Sequence, residues 1–199
     1  MDDDEILRGG MPPDTKDRQD TILDAAIHAF ATYGFRRTTM EDIARGAGMS
    51  RSALYLHYRN KEDLFRSLTR RFFADAVQDM ERALANAGPR ADAALLAAFV
   101  AKDGKFTEVV LGTTHGAELM DAGFAISGDI AREGEARLTS VLADWLRSRR
   151  VPEEIGQADA IAASIMAALK GLKASVGSLG EYRAGQAQLA RLFGRAISA

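Results

Sequence analysis

Thr38-Thr39-Met40-Glu41-Asp42-Ile43-Ala44-Arg45-Gly46-Ala47-Gly48-Met49-Ser50-Arg51-Ser52-Ala53-Leu54-Tyr55-Leu56-His57-Tyr58 is the stretch whose reading decides the fold. It reads as two short helices joined by a tight turn. Thr38 followed three residues later by Glu41 has the capping-box pattern, in which hydroxyl and carboxylate each bond the other residue's backbone amide. Gly46 and Gly48 interrupt helical periodicity, and Ser50 is a good cap for the second helix. Ile43, Ala44 and Ala47 form one face of the first helix, with Met49 and Leu54 facing it across the turn. Ala44 is small enough to let the helices cross closely. This is the layout of a helix-turn-helix, whose second helix lies in the DNA major groove.

Any pair of antiparallel helices can carry Ala and Gly at its corner, so the flanking residues matter. The second helix exposes Arg51, Ser52, Tyr55 and His57, which bond phosphates or base edges more readily than a plain Glu/Lys surface does. Asn60-Lys61-Glu62-Asp63 follows as a new N-cap with a lysine in the first helical turn, which makes a second anion site. Arg51 and Lys61 have the firmest physical case as phosphate or base contacts.

The chain has 199 residues, 47% of them hydrophobic and 27% charged, enough for one or two modest domains with real cores. It has no cysteine, and therefore no disulfide, thiolate metal site or cysteine nucleophile. No apolar run approaches the ~18 residues of a membrane span. The acidic start Met1-Asp2-Asp3-Asp4-Glu5 is the opposite of a basic signal-peptide start. A cytoplasmic protein is expected. The net charge of −2 is unevenly spread: Tyr33 to Arg71 carries nine Lys/Arg against four Asp/Glu, which leaves the remainder at −7. A basic patch on an acidic protein binds phosphate locally while the rest repels non-specific contacts.

Residues 1–15 are acidic and then rich in Gly and Pro, and are expected to form a disordered tail. Met11 is a possible alternative start. Asp17 to Tyr33 reads as a helix, with Ile22, Ala25, Ala26, Ala29, Phe30 and Tyr33 at helical spacing and Gly34 as its stop. Phe35 points back to the core, and Arg36 and Arg37 sit in the loop before Thr38 as phosphate contacts. Residues 16–60 therefore make a three-helix unit with its own small core.

Ile22-Leu23-Asp24-Ala25-Ala26, Phe30, Gly34-Phe35, Thr38-Thr39-Met40, Asp42-Ile43-Ala44, Ala47-Gly48-Met49-Ser50, Leu54-Tyr55, His57-Tyr58 and Asn60-Lys61-Glu62-Asp63-Leu64 resemble the N-terminal signature of TetR-family transcriptional regulators. The resemblance covers roughly Asp20 to Phe65. It implies an all-α homodimeric repressor whose DNA contacts map onto Thr38 or Thr39, Ser50, Arg51, Ser52, Tyr55, His57, Tyr58 and Lys61. With Leu54 facing inward, Tyr55 is expected toward DNA and Tyr58 partly packed. Ser52 stands where the family often has glycine, and Leu56 where it often has an aromatic. Both lie on the reading helix, so the operator sequence cannot be borrowed from a relative.

Lys61 to about residue 87 reads as one connecting helix, with Leu64, Phe65, Leu68, Phe72, Ala76, Met80 and Leu84 as its stripe, ending at Gly88-Pro89. At 1.5 Å per residue it spans roughly 40 Å, enough to leave the first unit and enter a second. Residues 61–199 read as helical throughout, with breaks at Asp103-Gly104, Ala122-Gly123, Val151-Pro152 and Gly177 to Gly180. Phe73, Phe99, Phe106, Met120, Phe124, Trp145 and Met166 suit either a plain core or a ligand pocket. The family resemblance favours an effector pocket, with His115 as polar lining. His115 and Glu118, one turn apart, lack the further ligands of a metal shell.

The helix expected over Pro152 to Val176 is apolar on two sides. Ile161, Ile165, Leu169, Leu172 and Val176 form a bulky face, and Ala160, Ala163, Ala167, Gly171 and Ala174 a small one. The bulky face suits the domain's own core. The small face, with Leu189, Leu192 and Phe193 of the last helix, suits a four-helix interface between two chains. The expectation is an all-α fold: an N-terminal helix-turn-helix unit and a C-terminal helical domain for effector binding and dimerisation. Its partners would be a palindromic double-stranded DNA operator, a small and mostly apolar effector and a second copy of itself, with no membrane, metal or cofactor. No nucleophile triad or phosphate loop supports an enzyme. An effector-independent architectural protein and a transcriptional activator are the alternatives.

Overall fold

Phe30, Phe35 and Phe65 meet in a three-ring cluster with centroids 5.2–5.7 Å apart, and the first helices assemble around it. The computed structural model describes residues 15–149 and 151–198, without the side chains of residues 15–17, Lys105 and Phe124. The tail expected before residue 15 lies outside the described residues.

Four helices form the N-terminal end: α1 (Thr15–Tyr33), α2 (Met40–Gly46), α3 (Arg51–Tyr55) and the long α4 (Lys61–Ala85). Ile22, Ala26 and Phe30 of α1, Ile43 of α2, Leu54 of α3 and Leu64 and Phe65 of α4 are all essentially closed to solvent. Each such large apolar side chain contributes roughly 1.5–3 kcal/mol by leaving water. The capping box at α2 sits one residue later than the sequence pattern suggests. Thr39, not Thr38, is the N-cap: its hydroxyl accepts from the Asp42 amide, and the Asp42 carboxylate accepts from the Thr39 amide at 3.0 Å. Thr38 is buried instead and donates to the carbonyls of Gly34 and Ala29. The turn from α2 to α3 passes through Gly48 at φ +66°, a left-handed conformation that a side chain would strain.

Beyond α4 come α5 (Ala91–Ala101), α6 (Gly104–Gly112), α7 (Gly116–Arg147), a 3₁₀ turn (Glu153–Ile155), α8 (Ala158–Ser175) and α9 (Leu179–Ser198). No strand occurs among the described residues. A second core joins Met80 and Leu84 of α4 to Leu95 and Phe99 of α5, Leu142 and Leu146 of α7, Ile161, Ile165 and Leu169 of α8 and Ile197 of α9. The N-terminal core does not stop at residue 60. Val110 of α6 and Leu119 of α7 pack into it beside Leu68 of α4, so three elements of the second unit seat directly on the first.

The break expected at Ala122-Gly123 lies earlier, at Thr113 to His115. Thr113 turns to an extended conformation while its hydroxyl back-bonds to the Val109 carbonyl, one of the local bonds by which Thr competes with a helix. The following helix runs on through Gly123 and kinks at Ser127 (φ −129°, ψ 20°). Arg66 of α4 covers this kink: it donates to the Ile126 carbonyl at 2.6 Å and forms a two-pronged bond with Asp129 at 2.8 and 2.7 Å. Thr69 bonds the buried Ser127 hydroxyl. The kink in α7 is thus fastened to α4.

Candidate DNA interface and effector cavity

Only five residues long, α3 is held by its cap and its packing rather than by propensity. Ser50 is the N-cap, accepting from the Ala53 amide at 3.1 Å, and Leu54 anchors the inner face at 0% exposure. The outer face is left to Arg51, Ser52, Tyr55 and Leu56. The Arg51 guanidinium lies over the Tyr55 ring, 5.5 Å from its centroid, and donates to the Tyr55 hydroxyl at 3.5 Å. The pair therefore presents a planar, preset donor group. Leu56 is 86% exposed, which is unusual for a large apolar side chain and leaves it free for an apolar contact. His57 is half-buried beside this face, and Arg36, Arg37 and Thr39 are exposed on the neighbouring loop.

Three residues expected at the DNA surface sit elsewhere. Tyr58 is buried in the N-terminal core, and burial raises the pKa of its hydroxyl against a hydrogen bond to Ser67. Thr38 is buried as described above. Lys61 turns inward: its ammonium donates to the carbonyls of Phe35 (2.6 Å), Thr38 (2.8 Å) and Arg36 (3.1 Å) and rests over the Phe35 ring. Burial lowers its pKa, while Glu118 and Glu62 oppose that shift. With three donor protons and three carbonyls, Lys61 is a clasp on the loop that carries Arg36 and Arg37.

The regional charge excess is also partly consumed within the chain. Arg71 pairs with Asp20 and Asp24, Arg66 with Asp129, and Arg59 with Asp63. A count of charges along the sequence cannot separate these from the exposed Arg36 and Arg51.

A cavity of about 490 Å³ opens between α4, α6, α7 and α8. Phe73, Phe106, Met120 and Met166 line it, together with Phe72 from the apolar stripe of α4. Phe99 and Trp145 do not reach it, because both are buried in the second core. The Phe124 side chain lies outside the described residues. His115 departs furthest from expectation: it stands at the corner before α7, where its ring nitrogen lies 3.4 Å from the Arg37 guanidinium. Beside it, Glu118 accepts from the Arg36 amide at 2.6 Å. The predicted pocket histidine thus belongs to the junction between the two units.

The sequence reading also missed the charged wall of the cavity. Lys102, Asp103 and Lys173 line it, and Glu135 and Lys170 pair at its edge at 3.0 Å. The available signal was the run of charges at Lys102-Asp103 straight after the apolar Ala93 to Ala101, together with Lys170 and Lys173 on an otherwise apolar helix. On α8, Ala160, Ala163, Ala167, Gly171 and Ala174 are exposed, whereas Ile161, Ile165 and Leu169 are buried. Ala163, Ala167 and Ala174 also border the cavity. On α9, Leu192 is 57% exposed, and Leu189 and Phe193 are half-buried against the core. Among the described residues no helix is long and apolar enough to cross a membrane.

A capped short helix on a three-helix core, joined by one long helix to a helical domain with a cavity, is a helix-turn-helix architecture with a second helical unit. Residues 22–68 match the family model described as bacterial regulatory proteins, tetR family. That match takes in α2, α3, most of α1 and the start of α4, the helix-turn-helix end of the chain. A 65-residue stretch is 40% identical to the HTH-type transcriptional repressor Rv1474c of Mycobacterium tuberculosis, covering 33% of this chain and 31% of that protein. The chain thus spans about a third of the length of this relative. Among solved structures, a transcriptional regulator from Cytophaga hutchinsonii is similar in fold, with a TM-score of 0.73 and 19% identity over 90% of this chain and 98% of its own. SmeT, the repressor of the Stenotrophomonas maltophilia multidrug efflux pump SmeDEF, has a TM-score of 0.62 at 22% identity, covering 89% of this chain and 88% of its own. SmeT has also been solved as a complex with triclosan.

Proposed function

We propose that the chain is a cytoplasmic, homodimeric transcriptional repressor that binds an inverted-repeat DNA operator and is released by a small molecule held in the cavity between α4, α6, α7 and α8. The observation that carries this reading is the outer face of α3. Arg51, Ser52 and Tyr55 stand exposed on a helix whose inner face is closed and whose N-terminus is capped. A helix so mounted enters the major groove, where an arginine is the commonest reader of guanine. Arg36, Arg37, Thr39, Ser50 and His57 surround it as phosphate and flanking contacts. The domain boundary falls at α4, which belongs to both cores.

The exposed small-residue face of α8, with Leu192 on α9, supports the dimer, because small side chains let two helices approach closely. Two reading helices related by a two-fold axis meet half-sites about 34–36 Å apart for one helical turn. The cavity supports the switch. Leu119 and Met120 on α7 line it, and the residue just before them, Glu118, grips the Arg36 loop. A ligand that binds one position of α6 and α7 better than the other shifts the reading loops by that difference in affinity. SmeT, a repressor of like fold solved with triclosan, supports a small-molecule effector here.

The test is selection of genomic DNA fragments by the purified protein at physiological salt, followed by footprinting. The expected result is protection of an inverted repeat on one DNA face. Uniform binding without a preferred site supports an architectural protein instead.

A further inference from the structure

In the cavity, aromatic rings form one wall: Phe72 lies 5.0 Å from both Phe73 and Phe106, centroid to centroid. Another wall is charged. The Asp103 side chain is 1% exposed, and both of its carboxylate oxygens accept hydrogen bonds. One oxygen accepts from Lys102 at 2.9 Å and Lys173 at 2.8 Å, with Thr107 and Tyr182 at 3.4 Å. The other accepts from Gln186 at 2.6 Å, with Arg183 4.0 Å away and itself beside Glu108. Two ammonium groups therefore share one carboxylate, while Arg183 with Glu108 and Lys170 with Glu135 balance as pairs. Among the described side chains one positive charge is left over. It falls to Lys102, whose side chain is 8% exposed and which spends one of its three protons, on Asp103.

A buried charge without a counter-charge is strongly disfavoured. A cationic ligand would add to the excess, and Asp103 is already shared between Lys102 and Lys173. A neutral ligand would leave the excess in place. A ligand with a single negative charge closes it. Burial, and then the like charge of Lys102, lowers the pKa of the Lys173 ammonium, as an over-supplied cationic site requires.

Resting on the reading of this cavity as the effector site, we infer that its ligand is an amphiphilic monoanion: an apolar or aromatic body that packs on Phe72, Phe73 and Phe106 and ends in a carboxylate held by Lys102. The volume of about 490 Å³ suits a body of drug-like size.

The test compares three probes with one chain and different heads, decanoate, 1-decanol and decylammonium, by calorimetry on the full-length protein without DNA. Decanoate should bind once per chain and at least about tenfold more tightly than decanol, as a charge-assisted bond to a buried lysine requires. Decylammonium should not bind. Lys102→Met, which leaves Asp103 paired with Lys173, should bring decanoate down to the level of decanol and leave decanol unchanged. Lys102→Arg should restore the preference. Failure of decanoate to bind, equal binding of decanoate and decanol, or an unchanged preference in Lys102→Met overturns the inference. Because no DNA is present, such a failure leaves operator binding standing, and loss of operator binding leaves this result standing.

Discussion

Glu118 Oε1 accepts a hydrogen bond from the Arg36 backbone amide at 2.6 Å, although 82 residues separate the two in sequence. This bond joins the first turn of α7, which lines the cavity, to the loop that precedes the reading unit. Glu118→Ala should therefore free the loop without unfolding either core. Hydrogen exchange at the Arg36 amide should rise by about tenfold, the equivalent of roughly 1.4 kcal/mol for one charge-assisted bond. Unchanged exchange would mean that the contact does not hold the loop.

The same junction depends on Gly34, whose φ of +80° suits glycine and whose missing side chain makes room for Glu118. A Cβ there would lie 2.4 Å from the Glu118 carboxylate. Gly34→Ala should cost about 1–2 kcal/mol from the left-handed backbone alone. A melting temperature equal to the parent's would contradict this geometry.

Lys61 separates a structural lysine from a DNA-binding one. Removing it as Lys61→Met leaves the carbonyls of Phe35, Arg36 and Thr38 without their shared donor, at a cost of about 2–3 kcal/mol. Chemical denaturation should register the loss. The slope of log affinity against log salt on DNA should keep its value, since no phosphate contact is removed. A shallower slope at unchanged stability would return Lys61 to the DNA surface.

The pH dependence of stability should reflect Asp103. Burial opposes its ionisation, but the charges and hydrogen bonds of Lys102 and Lys173 outweigh burial and hold the carboxyl below its ordinary range. A carboxyl with a lowered folded-state pKa stabilises the fold while ionised. That contribution is complete above its unfolded value of about 4 and is lost as pH falls through the folded value. Asp103→Asn should destabilise the chain by about 3–5 kcal/mol at pH 7, because it strands the buried Lys102 ammonium and the half-buried Lys173 ammonium. Calorimetry should show the gap to the parent closing below about pH 4. A gap independent of pH would remove the charge from the argument.

The proposed dimer is tested on the exposed small face of α8 by Ala160→Glu and Gly171→Glu, which lie outside the cavity lining. A carboxylate buried unpaired between two chains is strongly disfavoured. Sedimentation should show monomers, with operator affinity falling as the second half-site is lost. An intact dimer in both variants would move the interface elsewhere.

The helix-turn-helix was legible in the sequence because its signals are local: a cap, a glycine turn and apolar residues at helical spacing. The same locality explains the slip of one residue at its cap, since Thr38 and Thr39 carry the same hydroxyl and only tertiary burial of Thr38 assigns the role. Arg51 and Tyr55 were readable as an exposed face once Leu54 was read as facing inward. Lys61 was not, because its three acceptors are backbone carbonyls, which every sequence contains. The cavity was half legible. Apolar composition cannot tell Phe106, which lines the space, from Phe99, which fills a core. His115 was misplaced for a related reason: its neighbours Arg36 and Arg37 come from the other end of the chain. Asp103 shows the same limit, because its partners beyond Lys102 and Thr107, namely Lys173, Tyr182 and Gln186, lie on α8 and α9.

The most direct test of the account is the affinity of the parent and Arg51→Ala for the selected operator and for a scrambled duplex, measured at one salt concentration. Arg51 is proposed to read a base, so the parent should prefer the operator. The variant should lose about 1–3 kcal/mol on the operator and little on the scrambled duplex. Equal losses on both duplexes, or no loss on either, would contradict the assignment of α3 as the reading helix.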